Sequence, residues 1–362
     1  MKKVSLNDLS RQYDSIKTEI DLSISKIMDN CHFIGGEEVT TFENSFAEYN
    51  NSNYCIGCAN GTDAIEIALQ ALELKAGDEV LVPSITWIST AGAVRNMGGT
   101  PVFVDVDSNC LIDLKAAKLK ITDQTKAIIP VHLFGLPVNM KELMQLASDN
   151  NLFVIEDCAQ AHGAEFDNQK VGTFGDFGTF SFYPGKNLGA YGDAGAIITN
   201  DDQLNEQCRL IRNHGQKKKH DHIRKGRNSR LDTLQAAVLS VKLKHLNKWT
   251  DRRIQIAQLY NKLLQEIPVR TTPVLDRRKH VYHLYVIQVE KRDELMNYLE
   301  QKGIQTAIHY PNVLPHTPTF NENGGYPNAQ KATENCLTIP LYPEITDDEV
   351  KKVADTIIQF FF

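Results

Sequence analysis

One lysine of this chain stands where a reactive amine would be expected. Lys186 lies in the glycine-rich stretch 184–189, directly after the apolar and aromatic run 178–183. Upstream, Asp157 ends a second apolar run, 152–157. Open α/β sheets place their chemistry at the carboxyl ends of buried strands. We therefore expect this amine and this acid to meet at one edge of a sheet.

Such a pair suits one kind of chemistry. A lysine amine can form a Schiff base with a carbonyl group. A nearby carboxylate can keep a pyridinium nitrogen protonated, which is the pairing that pyridoxal 5'-phosphate (PLP) requires.

The lysine turn also has two other interpretations. A Walker A loop needs glycine at 180 and serine or threonine at 187, but Phe180 and Asn187 occupy these positions. A solvated turn lysine is the ordinary alternative, since lysines are mostly exposed. The flanking Phe182 and Tyr183 favour burial, and a buried lysine needs a reason.

A phosphate site is predicted at the start of a helix. Asn60, Gly61 and Thr62 precede an apolar stripe at helical spacing, so free backbone N–H groups could hold a phosphate there. An ordinary N-cap is the alternative. No G-x-G-x-x-G pattern is present, which disfavours a dinucleotide site.

Several further residues follow the predicted strands. Trp87 either stacks on a cofactor ring or belongs to the core. Gln160 and His162 follow Asp157 in a loop. The basic run 216–230 is either a solvated loop or a clamp for a phosphate-bearing substrate.

The composition is that of an ordinary soluble protein. The 362 residues carry a net charge of −6, which gives no global attraction to nucleic acid or to anionic membranes. No apolar run approaches a membrane span, and no signal-peptide h-region follows the start. Cys55 and Cys58 form a CxxC within apolar residues, which favours a buried strand over a redox pair. We therefore expect a cytoplasmic protein without nucleic-acid, membrane or metal partners.

The order of elements predicts an α/β fold with two parts. Continuous apolar runs alternate with helical segments from about 54 to 200, which indicates a mostly parallel sheet flanked by helices. We predict a large domain at 1–250, opening with a helical segment at about 1–30, and a small α+β domain at 251–362. The later elements are predicted as one long helix over 233–266, a linker over 268–279, strands at 282–289 and 305–310, a helix at 293–302 and a last helix with a capping box at 346–349.

At this point the chain resembles the sugar-aminotransferase family often called DegT/DnrJ/EryC1/StrS. Several motifs occur in the family's order, from Phe33-Ile-Gly-Gly-Glu-Glu-Val to Pro340-Leu-Tyr-Pro343. The resemblance implies PLP as cofactor and the type I fold of aspartate aminotransferase, with a mostly parallel central sheet flanked by helices.

The resemblance also implies a role for individual residues. Lys186 resembles the lysine that carries PLP, Asp157 the partner of the ring nitrogen, and Gln160 the glutamine near the phenolic oxygen. Trp87 resembles the residue that stacks on the ring, while Gly61, Thr62 and Ser181 resemble phosphate-binding positions. Asn228 resembles an asparagine that reaches the phosphate from the partner subunit, which implies a homodimer with shared active sites. Expected substrate-binding residues are His162, Tyr183, Lys219, Arg224, Arg227, His309, Tyr310 and His316.

The implied reaction moves nitrogen from L-glutamate to a nucleotide-linked ketosugar. The stretch from Tyr183 to Gly195 is more similar to 3-aminotransferases of the family, which implies a dTDP-3-keto-6-deoxyhexose as acceptor. Alternatives are 4-amination of a dTDP- or UDP-4-keto sugar, 3-amination of a UDP-3-keto uronic acid, and a PLP sugar dehydratase. A regulatory relative without catalysis is a further alternative. Lys186 argues against the dehydratase branch, in which histidine replaces the lysine.

Overall fold

The computed structural model describes residues 3–362. Within them the α-helices are α1 (Leu9–Asn30), α2 (Glu37–Asn50), α3 (Gly61–Ala71), α4 (Ser89–Asn96), α5 (Leu114–Leu119), α6 (Met140–Asp149), α7 (Asp202–Arg212), α8 (Thr233–Leu243), α9 (Leu246–Leu263), α10 (Arg292–Gln301), α11 (Pro327–Asn335) and α12 (Asp347–Phe361). Short 3-10 helices span Leu133–Gly135 and Leu314–His316.

The strands of the same residues form one large sheet and three small ones. They are β1 (Tyr54–Cys58), β2 (Glu79–Pro83), β3 (Thr100–Val104), β4 (Thr125–Ile128), β5 (Phe153–Asp157), β6 (Glu165–Phe166), β7 (Gln169–Lys170), β8 (Phe177–Ser181), β9 (Gly195–Thr199), β10 (Gln216–Lys218), β11 (Asp221–His222), β12 (Arg278–Lys279), β13 (Tyr285–Gln288) and β14 (Cys336–Ile339).

The large sheet has seven strands in the order β1-β9-β8-β5-β4-β2-β3. Only β9 runs antiparallel to its neighbours, whereas the pairs from β8 to β3 are parallel. Parallel strands are buried on both faces, which is why these runs are continuously apolar and not alternating. The predicted mostly parallel sheet flanked by helices is confirmed, and the carboxyl ends of β5 and β8 lie side by side.

A second core lies in the C-terminal part. Its members come from α9, α10, α12 and strands β13 and β14, and Val4 from the start of the chain joins them. The backbone of Val4 pairs with Ile304 as an isolated parallel bridge. The predicted boundary at 250 falls inside α9, so the two-domain division remains a prediction.

The predicted long helix over 233–266 is wrong in two respects. A turn at Lys244 and His245 separates α8 from α9, and α9 ends at Leu263. His245 stacks on Trp249 and contacts Glu19 of α1, so tertiary contacts hold this turn. Neither glycine nor proline marks it, which is why the sequence pattern missed it.

The predicted tail is also corrected. The strand predicted over 305–310 does not form, and in its place Ala307 makes an isolated bridge to Thr338. The strand predicted over 282–289 is shorter, and the helix predicted over 293–302 begins at Arg292 and ends at Gln301. The capping box is confirmed, since the Thr346 side chain accepts from the backbone N–H of Glu349.

The cysteines and the helices bear on two general properties of the protein. Both Cys55 and Cys58 are buried free thiols of β1, as predicted. Across residues 3–362, no helix combines the length and the apolar character that a membrane crossing needs.

Candidate active site

A cavity of about 860 Å³ opens at the carboxyl edge of the large sheet. It brings together ten of the residues that the sequence singled out. They are Gly61, Thr62, Trp87, Asp157, Gln160, Ser181, Tyr183, Lys186, His309 and Tyr310. These residues come from strand ends and loops that are far apart in the sequence, and the fold brings them together.

Asp157 is the last residue of β5 and is 6% exposed. Its Oδ2 accepts a hydrogen bond from Thr90 Oγ1 at 2.9 Å, and its Oδ1 accepts from the Ala159 N–H at 3.1 Å. Burial raises the pKa of Asp157, although both hydrogen bonds and the charge of Lys186 oppose this rise. The carboxylate is therefore held in one orientation at the cavity wall.

Lys186 lies in the turn after β8 and is partly buried in the cavity wall. The turn is closed by a hydrogen bond from its own N–H to the Tyr183 carbonyl at 2.8 Å. Burial lowers the pKa of the Lys186 amine to about 8, while the charge of Asp157 acts in the opposite direction. Roughly a tenth of this amine is thus neutral, and hence nucleophilic, at pH 7.

The start of α3 packs closely against the end of β8. Asn60 is the N-cap, and its side chain accepts from the Asp63 N–H at 2.8 Å. A Cβ atom on Gly61 would lie only 2.6 Å from Ser181 Cβ, so position 61 requires glycine. Thr62 Oγ1 donates to Ser89 Oγ at 2.8 Å. This helix terminus supplies free N–H groups at the cavity.

Aromatic and amide groups also line the cavity. The ring of Trp87 is 59% exposed and lies 6.1 Å from the ring of Tyr310, centroid to centroid. Gln160 is clamped, because its Oε1 accepts from the Phe134 N–H at 2.7 Å and its Nε2 donates to Tyr310 Oη at 2.8 Å. Among residues 3–362, nothing covers most of Trp87, so its ring can stack on a ligand.

Six of the predicted residues lie away from this cavity. His162 is fully buried between Phe180 and Phe182, and burial lowers its pKa to about 3. His316 is exposed, and its Nε2 contacts the Gly324 carbonyl at 2.8 Å. The other four are on the basic segment 216–230, and they are Lys219, Arg224, Arg227 and Asn228.

The basic segment forms a small hairpin from β10 and β11. Lys219 and Asn228 are exposed, and Arg224 is half-buried. The guanidinium of Arg227 is engaged within the chain by Glu66 and by Asp63, the latter at 3.6 Å. A role for this segment in a cavity therefore requires a second subunit, and it remains a prediction.

Four residues at the site were missed by the sequence analysis. Thr90 orients Asp157, and Asn187 and His283 are joined by an Oδ1 to Nδ1 contact of 3.2 Å beside Lys186. Arg253 also lines the cavity. Only Arg253 left a signal, because a charged residue stands among the apolar positions of α9, between Trp249 and Ile256.

The neighbour of Asp157 has a different task. Glu156 points to the other face of the sheet and accepts hydrogen bonds from the N–H groups of Gly172, Phe174 and Gly175 at 2.7–2.9 Å. It also contacts His132 Nε2 at 3.1 Å. With Cys158 these side chains could form a metal-ligand group, but the hydrogen bonds of Glu156 already account for its burial. We assign it the task of holding β5.

The residues of the cavity fit PLP. A buried carboxylate, a partly neutral lysine, a free aromatic face and a glycine-bearing helix terminus match the four parts of the cofactor, namely ring nitrogen, aldehyde, ring and phosphate. Fold and site together define an enzyme of the type I PLP class.

The chain belongs to the DegT/DnrJ/EryC1/StrS aminotransferase family, whose profile matches residues 14–358. The predicted family, the enzyme class of nucleotide-sugar aminotransferases and PLP as cofactor are thereby confirmed.

Individual relatives match almost from end to end. The chain is 44% identical to a pleiotropic regulatory protein of Geobacillus stearothermophilus, over 99% of this chain and 98% of the relative. It is 40% identical to a dTDP-3-amino-3,6-dideoxy-alpha-D-galactopyranose transaminase of Aneurinibacillus thermoaerophilus, over 99% and 98%. It is also 40% identical to a UDP-N-acetyl-3-dehydro-alpha-D-glucosamine 3-aminotransferase of Acidithiobacillus ferrooxidans, over 98% and 97%.

Solved structures agree with this assignment. The crystal structure of DesV from S. venezuelae has a TM-score of 0.97 to this chain, with 36% identity and 99% of both chains covered. The similarity therefore extends over both cores and not over the cavity alone.

Proposed function

We propose that this protein transfers the amino group of L-glutamate to C3 of a dTDP-3-keto-6-deoxyhexose, giving a dTDP-3-amino-3,6-dideoxyhexose. The observation that carries the proposal is the meeting of Lys186 and Asp157 in one cavity, within a chain of this family. The same observation speaks against a regulatory relative without catalysis, which the name of the Geobacillus relative would suggest.

PLP, when bound, supplies an electron sink for the carbanion that forms at the reacting carbon. Lys186 Nζ would hold the cofactor covalently, and as a free amine it would carry a proton between the cofactor and the reacting carbon, away from the carbon of the donor and toward the carbon of the sugar. Asp157, oriented by Thr90 and Ala159, would keep a proton on the ring nitrogen of the cofactor.

The remaining residues bind and orient. Trp87 offers its exposed face to the ring, and the N–H groups at Gly61 and Thr62, with the Ser181 hydroxyl, hold the phosphate. Tyr183, His309 and Tyr310 face the space in which a hexose would lie. His162 and His316 do not reach it, so we leave both out of the proposed substrate contacts.

The choice of sugar is supported by the relatives and not by the cavity itself. Two relatives at 40% identity are named as enzymes that aminate C3 of a sugar, one on a dTDP sugar and one on a UDP sugar. We place dTDP first because of the stretch from Tyr183 to Gly195, and we keep the UDP-3-keto sugars and 4-amination as alternatives.

We also propose a cytoplasmic homodimer whose product enters a surface polysaccharide, such as the O-antigen of a lipopolysaccharide, or a glycosylated metabolite. Asn228 is exposed and lies outside the cavity of its own chain. This position suits a residue that completes the phosphate site of a partner.

The test is to incubate the purified holoenzyme with L-glutamate and a panel of 3-keto and 4-keto sugars on dTDP and UDP. Mass spectrometry and NMR then identify the product and the aminated carbon. We expect a 3-amino dTDP product, and Lys186→Ala should give none. Preferential amination of a 4-keto sugar would overturn the regiochemistry, and elimination without nitrogen transfer would overturn the reaction class.

A further inference from the structure

One imidazole in the wall of the active-site cavity has an acceptor atom that nothing uses. His283 lines the cavity and is partly buried. Its Nδ1 contacts Asn187 Oδ1 at 3.2 Å, whereas within residues 3–362 its Nε2 makes no hydrogen bond. Polar atoms inside a protein are nearly always paired, so an unpaired nitrogen in this wall calls for a partner that arrives during the reaction.

The hydrogen bonds of Asn187 decide which nitrogen of His283 carries the proton. Asn187 is 3% exposed, and its Nδ2 donates to the Val281 carbonyl at 3.1 Å. The other atom of this amide, Oδ1, faces the imidazole and can only accept. Nδ1 of His283 must therefore donate to it, and in the neutral ring Nε2 carries the lone pair.

The imidazole of His283 is neutral near pH 7. Burial, and after it the charge of Lys186, lower the pKa of His283 well below its usual range. Three further groups act in the same direction, namely Arg253, His162 and His309. Nε2 therefore remains an acceptor and does not take up a proton itself.

The amine of Lys186 is the matching donor. Across the described part of the chain its Nζ has no hydrogen bond and no ion pair, so its N–H groups are without partners. Asn187 follows Lys186 in the sequence and holds His283 through its side chain, and Lys186 and His283 line one cavity. An unused donor and an unused acceptor thus belong to the same wall.

We propose that His283 is a positioning residue, whose Nε2 accepts a hydrogen bond from Lys186 Nζ whenever the lysine carries no cofactor. An amine that donates one N–H in a fixed direction also has its lone pair fixed, and the lone pair is then directed at the carbon from which it takes a proton. This role rests on the proposed transamination, in which Lys186 moves protons in both half-reactions. A hydroxyl group of the sugar is the competing donor to Nε2.

Two variants separate the two nitrogens of the ring. The amide nitrogen of His283→Asn takes the place of Nδ1, so this variant keeps the contact with Asn187 and removes the acceptor. The amide of His283→Gln reaches the place of Nε2, so this variant restores an acceptor and loses the contact with Asn187. His280→Asn is the matched control, because His280 is a buried histidine of the same segment and lies outside the cavity.

The two half-reactions are measured separately on the holoenzyme, by absorbance, with L-glutamate and then with the ketosugar. For His283→Asn we expect the maximal rates of both halves to fall by about tenfold or more, because a misdirected amine transfers protons slowly. The half-saturating concentrations of both substrates should change by less than about twofold. His283→Gln should recover most of the rate, and His280→Asn should react at the rate of wild type.

A crystal structure with pyridoxamine 5'-phosphate tests the contact without turnover, because Lys186 is then a free amine beside the bound cofactor. We expect Lys186 Nζ within about 3.2 Å of His283 Nε2. An Nζ directed away from the imidazole would overturn the proposal, and this measurement decides even if the variants at position 283 fail to fold.

Two kinetic results would also overturn the proposal. If His283→Asn reacts faster than His283→Gln, the task of His283 is to hold Asn187, and its role is structural. A rise in half-saturating concentration confined to the ketosugar would assign Nε2 to a sugar hydroxyl. If wild type does not react with glutamate at all, the proposed function fails, while the crystal structure still decides the contact between His283 and Lys186.

Discussion

Lys186 shows how surroundings set the reactivity of one side chain. Its amine is kept from water by the cavity wall, and this burial outweighs the favourable charge of Asp157. An ordinary lysine near pH 8 would be almost wholly protonated. The position of the turn after β8 therefore determines the chemistry of the residue as much as its type does.

The lowered pKa predicts how covalent capture depends on pH. Imine formation needs the neutral amine, so capture of PLP by the apoenzyme should rise with pH and level off above about pH 8. An unperturbed lysine would keep rising to about pH 10. Borohydride reduction over a pH series, followed by peptide mapping, measures the label. A label on any other lysine would refute the assignment.

Asp157 gives a second prediction for a single residue. Asp157→Asn should still bind PLP but lose activity by roughly 10²-fold or more, since an amide cannot stabilise a protonated ring nitrogen as a carboxylate does. The change also removes a negative charge that raises the pKa of Lys186, so the capture profile should shift to lower pH. Steady-state rates and the capture series check both effects, and near-normal turnover would show that the acid is misassigned.

Among the elements, α3 packs closely against β8 at the site. In Gly61→Ala the new methyl would meet Ser181 Cβ, and such overpacking costs about 1–3 kcal/mol. We expect weaker PLP retention and a lower melting temperature. Gly92→Ala in α4 is the matched control, because nothing lies within 4 Å of its Cβ. PLP release on dialysis and thermal melts compare Gly61→Ala with Gly92→Ala. Equal behaviour of the two variants would contradict the proposed phosphate site at the start of α3.

The basic hairpin can be tested by its charges. Lys219→Gln with Arg224→Gln should weaken binding of the sugar nucleotide by about tenfold at low salt, because charge-assisted contacts to phosphate are lost. The difference from wild type should shrink as salt rises. The half-reaction with glutamate should be spared, and the exposed Lys118→Gln serves as control. Unchanged affinity at every salt concentration would show that the hairpin does not meet the substrate.

What the sequence could predict follows from the range of the interactions involved. That Asp157 and Lys186 line one cavity could be predicted, because strand ends and glycine turns are local patterns. The turn at His245 could not be predicted, because it is held by contacts with Glu19, which lies far away in the sequence, and with Trp249 of the next helix. His162 was predicted to bind the substrate, but its side chain packs against Phe180 and Phe182. The direction of a side chain in a loop cannot be predicted from sequence spacing.

For the whole molecule, the central prediction is a composite site. Mixing a Lys186→Ala subunit with an Asn228→Ala subunit should restore activity in the heterodimer, because both lesions then fall in one site and the other is intact. Differently tagged subunits allow the heterodimer to be isolated and its turnover compared with both homodimers. Absence of recovery in verified heterodimers would mean that each chain completes its own site.

The first described residues have a practical consequence. Val4 is buried in the second core, while Leu6 and Asn7 already belong to the cavity wall. An affinity tag or fluorescent fusion attached before this segment would therefore disturb both substrate access and folding. Phe362, at 93% exposure, is the safer attachment point for purification, surface immobilisation or labelling.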